Sequence, residues 1–264
     1  MMIQLFEKTH RPNSVVRNYK IIQMLGMGSY GITYLAENEL TREKVVLKQL
    51  RKRALKNGKG LQSFRYEKNI LLTLNHSAIP KYIEDFKWKR NYFIVMEFKE
   101  GRTFEQEIFE NKQKYSETEA FQYLMKASSI VKYVHEKGIV HRDLRIPNLL
   151  IHEGEIFVID FGLARNLHDD DQRVENFPIE KQLMREVKIE SDFYALGHFV
   201  LFLLYSSFEP KGIEKSWEDE LPLSEEAKRV IRKLLMIDQA YQSAEELIQD
   251  IQINVLGGKQ HVIL

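Results

Sequence analysis

Eight residues, His141-Arg142-Asp143-Leu144-Arg145-Ile146-Pro147-Asn148, crowd a histidine, two arginines, a carboxylate and an amide between a helix-like pattern and an apolar run. Side chains of these kinds move protons, hold anions and ligate hard cations, so this stretch is the candidate reaction centre. Three further features accompany it. A glycine-rich turn, Gly26-Met27-Gly28-Ser29-Tyr30-Gly31, lies upstream, Lys48 follows that turn, and Asp160-Phe161-Gly162 lies downstream.

Each feature alone has a plainer reading. Lys48 sits in the apolar run Val45-Val46-Leu47-Lys48-Gln49-Leu50. An ammonium there costs free energy unless it meets an anion, which makes a phosphate partner attractive; an edge strand whose lysine reaches out to water is the alternative. Residues suited to strands, Tyr19 to Leu25 and Thr33 to Ala36, flank the glycines, which predicts a strand-turn-strand built on small, φ-tolerant residues. No helical pattern follows Gly31, as a dinucleotide-binding turn would require, so an ordinary hairpin stays open.

The elements that must position these groups are also legible. Phe64, Glu67, Leu71 and Leu74 recur at helical spacing, which turns the Glu67 carboxylate inward with three apolar neighbours, unless it is a half-exposed helix glutamate. Arg51 to Gly60 is basic and contains glycine, and reads as a solvated loop. Tyr82 to Trp88 and Tyr92 to Phe98 suit two strands joined by Lys89-Arg90-Asn91. From Ser116 the pattern becomes a long helix, opened by a Ser116–Glu119 capping box and continued by Phe121, Leu124, Ala127, Val131 and Val134. The longest apolar stretch, Phe193 to Phe208, is short for a bilayer and interrupted by polar residues, so it reads as a buried helix.

In this order the motifs resemble the eukaryotic-type protein kinase family, and in particular its compact bacterial serine/threonine members. The resemblance covers Tyr19 to Ile253 and implies an α+β, two-lobed protein-kinase-like fold with a β-rich small lobe and an α-helical large lobe. Its boundaries are a lead-in over residues 1–18, a small lobe over about 19–100, a large lobe over about 101–253, and a tail over 254–264. It implies ATP and Mg²⁺ held between the lobes and a protein substrate. Lys48 would hold phosphates, oriented by Glu67 19 positions later; Asp143 would accept or orient the acceptor proton; Asn148 and Asp160 would ligate the metal. Arg145 would neutralise charge on the transferred group, at a place where serine/threonine kinases usually carry lysine and some tyrosine kinases arginine. Nucleotide contacts fall to Gly26, Gly28, Gly31, Lys48, the hinge Met96-Glu97-Phe98 and Leu150. His141 and Phe161 would be packing residues, aligned with Leu71 and Tyr82, and Asp192 would hold the catalytic-loop backbone.

Several positions depart from the family pattern. Thr33 and Val46 replace the usual valine and alanine near the adenine site. Between Gly162 and Ser191 there is no Ser, Thr or Tyr to phosphorylate, and Asp169-Asp170-Asp171 occupies part of that segment. One of these carboxylates could contact Arg142 in place of a phosphate, or all three could form a solvated acidic turn. Pro178-Ile179-Glu180 stands for Ala-Pro-Glu, but Tyr241 occupies the place of its partner arginine, and Phe208 to Leu223 is short for a peptide-docking region. A pseudokinase scaffold and a small-molecule kinase therefore remain as alternatives to a serine/threonine-protein kinase.

Bulk properties bound the rest. In 264 residues, 44% hydrophobic, there is enough apolar material for a substantial core. Lys+Arg 39 against Asp+Glu 38 gives a net charge of +1, which indicates neither a nucleic-acid nor an anionic-membrane footprint. With no cysteine, disulfides, thiolate catalysis and Cys-ligated zinc are excluded. Met1 to Arg17 is polar and mixed rather than a signal peptide, which predicts a cytoplasmic protein.

Overall fold

The structure is a computed structural model that describes residues 9–28, 30–55, 59–169, 172–210, 212 and 215–257. Residues 1–8 of the lead-in, Ser29, Asp170, Asp171 and the tail's His261-Val262-Ile263-Leu264 lie outside the described residues. The chain divides between Glu100 and Gly101 into two compact units.

The first unit is a six-stranded antiparallel sheet. Strands β1 (Val15–Val16), β2 (Tyr19–Met27), β3 (Gly31–Asn38) and β4 (Lys44–Leu50) follow one another as a meander. Helices α1 (Lys52–Leu55) and α2 (Lys59–Thr73) come next, and β5 (Tyr82–Trp88) and β6 (Asn91–Glu97) complete the order β1-β2-β3-β4-β6-β5. The basic stretch expected as a loop thus contains α1 and the start of α2; Arg, Lys, Ala and Leu are all good helix formers, which outweighs the polar composition. On β4 the two-residue period sends Val45 and Leu47 into a core with Tyr19, Ile21, Ile32, Tyr34, Phe93 and Val95. Val46 and Lys48 therefore face the other side of the sheet. There α2 packs against β4 and β5, burying Phe64, Glu67, Leu71 and Leu74 as their spacing requires.

The second unit opens with β7 (Arg102–Thr103), α3 (Phe104–Phe109) and the 20-residue α4 (Glu117–Glu136). At the start of α4 the Ser116 side chain accepts from the Glu119 N–H, while Glu119 accepts from the Ser116 N–H at 2.9 Å, the reciprocal cap anticipated from the two residue types. The chain then gives β8 (Ile139–Val140), the loop 141–148, the hairpin β9 (Leu149–His152) and β10 (Glu155–Val158), and β11 (Arg165–Asn166), which pairs with β8. After α5 (Ile179–Leu183) comes α6 (Ile189–Tyr205), the buried apolar helix, and then α7 (Trp217–Glu220), α8 (Glu225–Leu234) and α9 (Ala244–Asp250). A single π-helical turn, Ile251–Val255, closes the last helix.

Helix α6 is the centre of this unit, packed on α4 and α8. Gly197 is what allows the second contact: a Cβ there would lie 2.9 Å from Leu235 Cδ2 and 3.0 Å from Leu234 Cβ, too close for any other residue without displacement. Among the described residues no helix is long and apolar enough to cross a membrane.

Candidate active site

In the first unit the structure brings Lys48 and Glu67 together. Lys48 Nζ donates to Glu67 Oε1 at 2.6 Å, with side chains 15% and 6% exposed, so each charge is largely removed from water and is stabilised by the other. Gly31 lies diagonally across on β3: a Cβ at this position would sit 3.2 Å from Lys48 Cε and 3.3 Å from Lys48 Cγ. The lysine stem runs over the space a side chain would fill. Gly26, Gly28 and Gly31 do not need glycine for their backbone angles, since none is in the left-handed region. This corrects the expectation that the turn demands φ-tolerant residues. Around a Cβ at Gly26 nothing lies within 4 Å, and at Gly28 only the Gly31 carbonyl does, at 4.0 Å.

Met96 is buried at the end of β6, paired with Val46, and Glu97 is tied down by Lys99 Nζ at 2.7 Å and by the Lys81 N–H at 3.1 Å. Phe98 follows, half-buried, immediately past the strand.

In the second unit the loop between β8 and β9 assembles the acidic centre. Asp143, only 6% exposed, receives Arg145 Nε on Oδ1 at 2.7 Å and Asn148 Nδ2 on Oδ2 at 2.9 Å. A tight turn, Ile146–Asn148, with Pro147 fixing its backbone, folds Asn148 back over Asp143, where its amide also donates to the Asp143 carbonyl at 2.9 Å. Both Asn148 donors thus point at Asp143, while its Oδ1 takes no hydrogen bond among the described residues. Asp160 stands at the exposed head of the turn Phe161–Leu163, in the left-handed region at φ 61°, accepting from the Gly162 N–H. Leu150 is buried in β9.

This loop is anchored from α6. Asp192 is fully buried; its Oδ1 accepts the Arg142 N–H at 2.7 Å, and its Oδ2 accepts the His141 N–H at 2.8 Å and meets His135 Nε2 at 2.8 Å. These contacts hold Arg142 at φ 66°, a conformation that disfavours any side chain. Burial alone raises a carboxyl pKa, but the His135 bond, the nearby histidines and the backbone donor hold Asp192 below the usual carboxylate range.

His141 belongs to packing rather than to proton transfer. Its Nδ1 accepts the Asp143 N–H at 3.2 Å, its Nε2 faces the Ile159 carbonyl at 3.2 Å, and its ring stands edge-on to Phe161 with centroids 4.6 Å apart. One acceptor and one donor define a neutral imidazole, and burial pushes its pKa below the ordinary histidine value despite the carboxylates nearby.

The departures from the family pattern have structural counterparts. Arg142 donates through Nε to the Arg185 carbonyl at 2.6 Å and through a terminal nitrogen to the Leu163 carbonyl at 3.3 Å, and Asp169 accepts from the Asn166 N–H. Glu180 is exposed and makes no ion pair among the described residues. Tyr241 is fully buried and donates to Asp250 at 2.7 Å, under Lys233 Nζ at 3.8 Å from its ring centroid, so the position carries a different polar link. One participant had no sequence signal: Arg185, two residues past α5, donates to Asp143 Oδ1 at 2.8 Å. It lies 42 positions from Asp143 in a segment without regular periodicity, so only the tertiary fold reveals the pair.

Comparison with known proteins agrees with this architecture. The family model for the protein kinase domain matches residues 19–250. A probable serine/threonine-protein kinase of Bacillus subtilis (strain 168), YbdM, is 35% identical over 260 residues, covering 95% of this chain and 97% of that protein. Human NUAK family SNF1-like kinase 1 is 28% identical over 252 residues, which are 88% of this chain but 38% of that longer protein. Among solved structures, the kinase domain of Mycobacterium tuberculosis PknI shares the fold with a TM-score of 0.70, at 17% identity and over 92% of this chain and 99% of that one. By its motifs, its fold and these matches, the chain belongs to the protein kinase family.

Proposed function

We propose that this protein transfers the γ-phosphoryl group of ATP, with Mg²⁺, to Ser or Thr hydroxyls of protein acceptors in the cytoplasm, with Asp143 as the base. The observation that carries the reading is the Asp143 carboxylate, buried and fixed by Arg145 and Asn148 on a loop whose backbone is pinned by Asp192. A carboxylate so oriented accepts a hydroxyl proton without any change in its own position. Arg145, beside it and half exposed, supplies positive charge where negative charge develops. Asn148 commits its N–H groups to Asp143 and offers an oxygen; with the Asp160 carboxylate this is a hard-oxygen donor set that fits Mg²⁺. The bound metal supplies charge neutralisation at the phosphoryl oxygens. Lys48, oriented by Glu67, takes the phosphates, and the open space at Gly26 and Gly28 suits a ligand's close approach to backbone N–H groups. The Ser/Thr assignment leans on the Bacillus relative, whose length this chain nearly matches.

Transfer of label from ATP to the protein itself and to generic protein substrates tests the proposal. The wild type should transfer in the presence of Mg²⁺, and Asp143→Asn should lower the rate by roughly 10²–10⁴-fold, the range of a lost general base; Asp160→Asn should abolish the Mg²⁺ dependence together with activity. ATP binding with no transfer to any acceptor, unaffected by Asp143→Asn, would instead identify a nucleotide-binding scaffold. Label passing only to a metabolite pool would identify a small-molecule kinase.

A further inference from the structure

Asp143 is more heavily engaged than a proton acceptor needs to be. Its Oδ1 receives two charged donors, Arg145 Nε at 2.7 Å and Arg185 at 2.8 Å, while its Oδ2 receives Asn148 at 2.9 Å and a long contact from Arg145 at 3.4 Å. Each carboxylate oxygen offers about two lone-pair sites, so an arriving hydroxyl must displace one of these donors. Arg145 and Asn148 belong to the catalytic loop itself, two and five positions from Asp143, and their geometry is set by its tight turn. Arg185 comes from a different segment, after α5, and its side chain is the donor that can leave.

Leaving has a cost specific to this arginine. The Arg185 side chain is 14% exposed against 52% for Arg145, so water cannot readily replace the carboxylate it gives up. The neighbouring carboxylate of its own segment, Glu186, is paired with Lys188 at 3.1 Å. A replacement anion therefore has to arrive with a substrate, and since the phosphates of ATP are committed to Lys48 and the metal, it arrives with the acceptor.

We propose that Arg185 is a specificity-determining residue that selects acceptor sequences carrying an Asp or Glu beside the hydroxyl to be phosphorylated. In the free protein Arg185 caps Asp143. An acidic acceptor exchanges carboxylate for carboxylate on the guanidinium and frees a lone pair of Oδ1 for its own hydroxyl. A neutral acceptor must leave the guanidinium without a partner, and a basic one adds like-charge repulsion. This rests on Asp143 acting as the base in phosphoryl transfer.

Steady-state transfer from ATP to three Ser peptides, flanked by Glu, Ala or Lys, tests the inference in wild type and in Arg185→Gln, Arg185→Lys and Arg185→Glu. Wild type should favour the Glu-flanked over the Ala-flanked peptide by roughly tenfold or more in kcat/KM, the scale of one charge-assisted hydrogen bond, and the ratio should fall with added salt. Arg185→Gln should bring the ratio near one, and Arg185→Glu should favour the Lys-flanked peptide. Arg185→Lys, which keeps the charge without the planar fork, should retain part of the preference. Thermal melts establish that each variant is folded, and the wild-type ratio and its salt dependence decide even if a variant is not. Active wild type with no preference, or a preference unchanged in Arg185→Gln, overturns the inference alone. A fall in Arg185→Gln that is equal on all three peptides does the same, because it marks a residue that only orients Asp143. No transfer by wild type to these peptides or to any generic protein overturns the phosphoryl-transfer reading and this inference with it.

Discussion

Replacing Asp192 by Asn tests whether one buried carboxylate holds the loop 141–148 in shape. The carboxylate satisfies two backbone N–H groups, of His141 at 2.8 Å and Arg142 at 2.7 Å, besides His135. Asn has one oxygen. If that oxygen stays with Arg142, the amide nitrogen faces the His141 N–H, donor against donor, and a buried N–H without an acceptor costs about 1–3 kcal/mol. The remaining bond loses its charge assistance, about 1 kcal/mol more. Two effects offset part of this: removal of a buried charge, and His135, whose Nδ1 has no hydrogen-bond partner, moving its proton so that Nε2 accepts from the new amide. A net loss of about 2–3 kcal/mol follows, which for a chain of this size lowers Tm by about 4–12 °C. Because the lost partner belongs to the loop, exchange of the His141 and Arg142 amides should accelerate by roughly 30- to 150-fold, and phosphoryl transfer should fall as the left-handed Arg142 relaxes. Thermal denaturation and amide exchange measure both. A Tm within 2 °C of wild type with unchanged exchange at these two amides would show that Asp192 is not the anchor.

Lys48→Met should break the largely buried ion pair with Glu67 and cost about 3–5 kcal/mol in a denaturant titration. The double change Lys48→Met with Glu67→Leu should recover much of that stability but none of the transfer activity, separating the pair's structural part from its proposed part in phosphate binding. Acidification should destabilise the fold in two stages. His76, His141 and His198 are all held below the ordinary histidine pKa of 6.5, chiefly by burial, so the unfolded chain takes up protons first and stability falls as pH drops from about 6.5. Asp192, depressed from 3.8, adds a further loss below that pH. Denaturant midpoints that stay constant from pH 7.5 to pH 5 would contradict the first stage. Tyr241→Phe should cost about 1–2 kcal/mol by removing the donor to Asp250, whose other partners, Lys233, Arg229 and Asn254, remain.

What the sequence determined by itself is local in character. Helical spacing turns Glu67 inward with Phe64, Leu71 and Leu74, and Ser116 and Glu119 cap α4 through groups three residues apart. The cluster in the loop 141–148 was legible for the same reason, since Asp143, Arg145 and Asn148 fall within six residues and contact one another through a single tight turn. Tertiary structure decided what depends on distant partners. The glycine turn needs no left-handed backbone, and Gly31 is small because the Lys48 stem from the next strand lies over it. The buried Tyr241 replaces an expected ion pair with a bond to Asp250, and Glu180 is left in solvent. Arg185 reaches Asp143 across 42 positions because Arg142 fixes its carbonyl and the chain after α5 turns back over the loop. Periodicity and short-range spacing record what a residue does within one element; a pair joined across the fold, such as Arg185 with Asp143, leaves no such trace.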